Sequence, residues 1–142
     1  MTMTRRHAFT LVEILIVVVI LGILATIVIP LFMGATDEAR QNVTFSELQK
    51  IRRYVGLYQA RNSSSLPDVT EGDGTWGEVV GPDYLLSAPT NAWVGGDSGK
   101  LIKFGNGPDT AYQTNYAWIY NTATGEVWAG SFDSFDRPLP RN

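Results

Sequence analysis

From Ile14 to Met33 the chain carries no charged side chain, and within residues 14–29, ILIVVVILGILATIVI, the only polar side chain is Thr26. As a helix, these 20 residues reach about 30 Å, enough to cross the hydrocarbon core of a bilayer. Arg5 and Arg6 precede the run and favour a cytoplasmic N-terminal side, which puts the rest of the chain outside the membrane. A cleaved secretory signal has an apolar core of roughly 7–15 residues, and this run is longer. An uncleaved anchor accommodates most of it. Neither reading accounts for Glu13 at its head. A carboxylate in apolar surroundings costs several kcal/mol unless it is protonated or paired. Glu13 therefore needs a partner, or it lies at the headgroup boundary.

The remaining sequence narrows the classes. The chain has 142 residues, a net charge of −3, no Cys and one His, with four Trp, six Tyr and six Phe. The aromatics can build a core, which excludes intrinsic disorder, and without Cys there is no disulfide scaffold, thiol catalysis or Cys-based zinc site. A single His7 forms neither a histidine metal cluster nor a triad. The acidic balance excludes nucleic-acid binding by bulk charge. Gly105-Asn-Gly107 lacks the Lys and helix context of a phosphate loop. Asp68, Glu71, Asp73, Glu78 and Asp83 lie among Gly and Pro, as solvated loops do. Trp76 and Trp93 read as core aromatics rather than sugar platforms.

Charge and composition then divide the chain. Residues 37–61 carry Arg40, Lys50, Arg52, Arg53 and Arg61 against Asp37, Glu38 and Glu47, a net +2. Residues 66–142 carry ten acidic groups against Lys100, Lys103, Arg137 and Arg141, a net −6. A basic stem thus precedes an acidic head, a distribution that fits solvated surface or attraction between neighbouring copies. Phe45, Leu48, Ile51, Val55 and Tyr58 recur at spacings of three and four, which predicts an amphipathic helix packed on the head. Pro30 should bend or locally melt the preceding helix, and Asn62-Ser-Ser-Ser-Leu-Pro67 should end the stem. Beyond residue 66 lie 11 of the 14 Gly and all four Trp, the mark of a loop-rich head. Lys100–Phe104 reads as one strand. Tyr112–Tyr120 and Glu126–Phe132 read as a hairpin turned at Asn121-Thr-Ala-Thr-Gly125. The expected class is α+β, a long N-terminal helix packed on a small antiparallel sheet.

The run Ala8-Phe9-Thr10-Leu11-Val12-Glu13 followed by ILIVVVILG closely resembles the processing signal of type IV pilins and type II secretion pseudopilins. That resemblance implies a leader over residues 1–8, cut between Ala8 and Phe9 by a membrane-embedded prepilin peptidase that also methylates the new amine. The usual residue before the cut is Gly, and here it is Ala8. The resemblance further implies that Glu13 pairs with the amine of Phe9 on a neighbouring subunit, and that Pro30 is the helix-bending proline of many members. The implied organisation is a membrane and assembly helix over 9–34, an amphipathic stem over 35–65 and a β head over 66–142.

Ile51–Pro67 and Tyr84-Leu-Leu-Ser-Ala-Pro-Thr-Asn-Ala-Trp93 are similar to the corresponding segments of G-type major pseudopilins, with Ala92 where they usually carry a second Pro. Those proteins bind calcium in a C-terminal loop, and Ser131-Phe-Asp133-Ser-Phe-Asp136 is the candidate counterpart here. Its alternating oxygens suit a hard cation, but its spacing does not match the family loop well, which favours an acidic surface loop; no other cofactor is expected. The function implied is a structural, non-enzymatic pseudopilin. It would sit as a single-pass protein in the bacterial inner membrane, with its head in the periplasm. Its partners would be further copies in a helical filament, other pseudopilins and an inner-membrane assembly platform. A type IV pilin of a surface pilus is the alternative within the family, favoured less because no Cys pair closes a C-terminal loop. A membrane-anchored enzyme or binding protein is the alternative outside it.

Overall fold

The computed structural model describes residues 9–141, without the side chains of 31–33. Its elements are a 51-residue helix α1 (Leu11–Arg61), two short 3-10 turns (Gly77–Val79 and Asp97–Lys100), and strands β1 (Ile102–Phe104), β2 (Trp118–Tyr120) and β3 (Val127–Ala129). The chain divides into two compact units, Met1–Thr36 and Asp37–Asn142.

In the first unit, α1 is long and apolar enough to cross a membrane by length and composition, with a mean hydropathy of 3.2 in its most apolar window and none of that window buried. Thr26 satisfies its hydroxyl inside the helix, donating to the Ile23 carbonyl at 2.6 Å, as a polar side chain in an apolar medium must. The helix assignment runs through Pro30, so of the bend or local melting expected there, the melting does not occur. The flanking segment is apolar, and a helix in an apolar medium must keep its remaining backbone hydrogen bonds, so one missing donor does not end it.

In the second unit, the stem part of α1 supplies one face of the core. Leu48, Ile51 and Val55 are buried there with Trp76, Trp118, Tyr120, Val127 and Phe132. The expected stripe needs one correction: Phe45 is 46% exposed, and Thr44 takes the inward position at 0%. Residues 44, 48, 51 and 55 keep the helical period, and Phe45 stands one residue, or about 100°, off that face. α1 ends at Arg61, at the Asn62-Ser-Ser-Ser-Leu-Pro67 segment expected to stop it. Ser64 N–H donates to the Gln59 carbonyl at 2.8 Å, and Ser63 and Ser64 have φ of +53° and +66°. This is a Schellman-type stop built with serine where glycine is usual.

The sheet has the order β1-β2-β3. β2 and β3 form the expected hairpin, antiparallel with Trp118 opposite Ala129 and Tyr120 opposite Val127, although both strands are shorter than their apolar runs. Asn121 Oδ1 accepts from the N–H groups of Ala123 and Thr124 at 2.9 and 3.2 Å. Gly125 sits at φ +78°, where a Cβ would come within 2.4 Å of Leu66. β1 runs parallel to β2, so the sheet is mixed rather than wholly antiparallel. The connection over residues 105–117 is long enough for the crossover that a parallel pair requires. Asp109 clasps that connection, accepting from Tyr116 Oη at 2.5 Å, Gln113 Nε2 at 3.0 Å and the Ser131 N–H at 2.7 Å. Trp76 and Trp93 are buried at 0% and 5%, as core aromatics.

Candidate functional site

Two places hold the residues singled out from the sequence, one in each unit. The first is the head of α1. Thr10 is its N-cap, and its hydroxyl accepts from the Glu13 N–H at 3.2 Å. Glu13 Oε2 in turn accepts from the Thr10 N–H at 2.8 Å and the Thr10 hydroxyl at 2.9 Å. This reciprocal arrangement is a capping box, in which a Thr and a Glu three residues later each satisfy a backbone donor of the other. It also sets the Glu13 charge at the positive end of the helix dipole. Thr10 was missed as a working residue, although Thr-x-x-Glu before an apolar run was a readable signal. Phe9 is 81% exposed, and every apolar side chain from Leu11 to Ile29 with a bulky group is also exposed. Ala8, the residue before the expected cut, lies outside the described residues, as does the rest of the expected leader over residues 1–8.

The second place is the C-terminal loop. Residues 131–139 close on themselves through a Phe132–Pro138 antiparallel bridge and a Leu139 N–H to Ser131 carbonyl bond of 2.8 Å. Asp133 caps the tip. Its Oδ1 accepts from the N–H groups of Phe135 and Arg137 at 2.8 and 3.0 Å, and its Oδ2 from Arg137 Nε at 3.0 Å. These bonds, that from the Arg137 N–H foremost, outweigh desolvation and hold the Asp133 carboxyl below its ordinary value. Asp136 faces the stem, where both of its oxygens meet the Arg52 guanidinium, Nη1–Oδ2 at 2.5 Å and Nη2–Oδ1 at 2.9 Å. A calcium ion takes six to eight oxygen ligands converging on one point. Here each carboxylate oxygen faces N–H donors, and among the described residues no three His, Cys, Asp or Glu side chains gather. As placed, Asp133 and Asp136 do not fit a calcium site.

The stem also carries Glu47–Lys50 and Asp37–Arg141 ion pairs at 2.5 and 3.1 Å. Arg141 additionally lies 4.0 Å over the Trp93 ring and donates to the Trp93 carbonyl at 2.6 Å. Tyr58 donates to Glu78, which raises the Tyr58 pKa. Glu47–Lys50 lies within the stem, while Arg141 and Tyr58 tie the head to its own stem, and none of these groups is arranged as nucleophile, base and orienting group in the manner of an acyl-transfer site.

Comparison with known proteins agrees with this geometry. The model of the prokaryotic N-terminal methylation motif matches residues 3–29. The chain is 30% identical to the type II secretion system core protein G of Dickeya chrysanthemi, over 74% of this chain and 79% of that one. It is 29% identical to the core protein G of Klebsiella pneumoniae, over 80% and 92%. It is 31% identical to the type IV wide pilus major component PilA4 of Thermus thermophilus, over 81% and 92%. No solved structure matches. With a capping box at the head of an exposed apolar helix, a stem packed on a small β head, and this identity along most of its length, the chain belongs to the type IV pilin and type II secretion pseudopilin family.

Proposed function

We propose that the protein is a major pseudopilin, a structural subunit of the periplasmic pseudopilus of a type II secretion system, and that it works by assembly and not by catalysis. The observation that carries this is the head of α1, a Thr10–Glu13 box on a helix whose apolar side chains are exposed on all sides. Cleavage between Ala8 and Phe9 would leave a cationic amine four residues before Glu13. In a helical stack, Glu13 of one subunit can neutralise the Phe9 amine of the next. Removing one member of such a pair from an apolar stack costs about 3–5 kcal/mol. Partners on this reading are the prepilin peptidase, further copies, other pseudopilins and the inner-membrane platform. The single span keeps residues 1–8 cytoplasmic and the head periplasmic.

A surface pilus is the second reading, favoured by the pilus-forming relative from Thermus. Deleting the gene and scoring secreted proteins and surface filaments together separates the two. Lost secretion with surface filaments intact supports the pseudopilus, and lost filaments with secretion intact selects the surface pilus.

A further inference from the structure

We infer that the C-terminal loop of this chain is closed by an arginine clamp in place of a metal, with the Arg52 guanidinium supplying the positive charge that Asp136 binds. Arg52 lies on the stem, 84 residues from Asp136 in sequence, and meets it fork to fork. That bidentate geometry gives both strength and direction. The same guanidinium donates through Nε to the Val127 carbonyl at 2.9 Å. One side chain therefore joins three elements: the stem, β3 and the terminal loop.

The pair is sheltered without being sealed, with side-chain exposures of 32% for Arg52 and 20% for Asp136. Asp136 has φ +57°, a backbone conformation that few non-glycine residues hold unless their surroundings impose it. Here the Asp136 N–H is fixed to the Asp133 carbonyl at 3.1 Å while its carboxylate is fixed to Arg52. Asp133, the other oxygen donor of the loop, is satisfied by Arg137 and two backbone N–H groups. Every carboxylate that could draw a cation into this loop is thus already neutralised by an arginine of the same chain. The loop folds, and keeps its shape, independently of divalent ions.

The test uses the full chain in detergent micelles, with tryptophan fluorescence following the melting of the head. Wild type should melt at the same temperature in millimolar calcium and in chelator. Arg52→Gln and Asp136→Asn should each lower the melting temperature by at least ~4 °C. The double variant should fall little below Arg52→Gln, since the two changes remove one shared interaction. Arg52→Lys, which keeps the charge and loses the fork, should restore only part of the loss. A calcium-dependent rise in the wild-type melting temperature overturns the inference. So do single variants that melt with wild type, or a double variant whose loss is the sum of the two. The calcium comparison on wild type needs no variant, so it stands even if Arg52→Gln does not fold.

Discussion

Asn91 should be the polar residue on which the head depends most. It is fully buried, and both ends of its amide are used. Nδ2 donates to the carbonyls of Ala117 and Gly130 at 2.9 and 3.0 Å. Oδ1 accepts from the N–H groups of Trp93 and Val94, each at 2.9 Å, and from the Thr44 hydroxyl at 3.2 Å. The stem, the loop before β1 and the residues flanking β2 and β3 are thereby joined at one side chain. Asn91→Leu keeps the approximate volume and removes all five bonds. Three of the five partners retain another bond: the Trp93 N–H and the Thr44 hydroxyl keep each other at 3.0 Å, and the Ala117 carbonyl keeps the Gly130 N–H at 2.6 Å. The Val94 N–H and the Gly130 carbonyl lose theirs. At about 1–3 kcal/mol for each orphaned buried group, the loss is about 2–6 kcal/mol, a large part of the roughly 5–15 kcal/mol that holds a domain of this size. A fragment beginning at Asp37, the start of the second compact unit, should melt at least ~8 °C lower. Asn91→Asp should do no better, because it sets a carboxylate oxygen against two carbonyls. Thermal and urea denaturation followed by tryptophan fluorescence measure both. If Asn91→Leu melts within ~2 °C of wild type, the accounting of orphaned groups is refuted.

Glu13→Leu should insert, be processed and leave the head folded, since it removes a charge from an apolar segment. Cross-linked multimers in membranes should drop sharply, and unchanged multimers would rule out the pairing role. N-terminal mass spectrometry of protein from membranes should find a chain that starts at methylated Phe9, and an intact Met1 in cells with active peptidase would refute the processing. Burial pushes the Tyr120 hydroxyl up to about 12 from 10.0, so the folded head keeps a proton that the unfolded chain loses. Stability present below pH 10 should then decline as the pH rises towards about 12, and Tyr120→Phe should flatten that decline in an alkaline melting series. Asp133 has its folded value held below 3.8, so its contribution is present above that pH and is lost as pH falls through the folded value. Asp133→Asn should reduce the acid sensitivity of the same fragment.

Much of this was legible in the sequence because it is local. A 20-residue apolar run, a three-four stripe and an alternating Tyr-Ala-Trp-Ile-Tyr segment each report one period, and each became the expected helix or strand. The misreading of Phe45 shows where that stops. Two adjacent residues, Thr44 and Phe45, compete for one inward position, and apolarity favoured the wrong one. Thr44 wins because Asn91 and the Trp93 N–H lie within reach of its hydroxyl, partners 47 and 49 residues away that no local pattern shows. The parallel pairing of β1 with β2 was hidden for the same reason, since three-residue strands carry no sign of direction. The Arg52–Asp136 pair was the least legible. Arg52 looked like an ordinary surface charge of the basic stem and Asp136 like an oxygen donor for a cation, and only the fold brings them together.

The two units use apolar surface in opposite ways, and the contrast bears on how assembly can be specific. In the head most apolar side chains face one another and are buried within the chain, with Leu86 and Phe135 left exposed. In the first unit they face outward all round, and the polar atoms of Thr26, Thr10 and Glu13 are satisfied inside the helix. Such a segment is at home in lipid or among its own copies, and passing from one to the other exchanges apolar contact for apolar contact. The hydrophobic effect then discriminates little between the two, as for any helices that associate within a membrane. Discrimination has to come from a group that is costly in one setting and satisfied in the other. On the proposed function that group is Glu13. In the isolated subunit its carboxylate is turned back on Thr10, and in a stack it gains the freed amine of a neighbour. Loss of the box by Thr10→Ala and loss of the charge by Glu13→Gln should therefore act on different steps. The first should loosen the end of α1 by about 1 kcal/mol while multimers still form. The second should spare the isolated subunit and reduce multimers. If both variants reduce cross-linked multimers equally, the capping box itself is what assembly requires, and the charge of Glu13 is not what selects the neighbour.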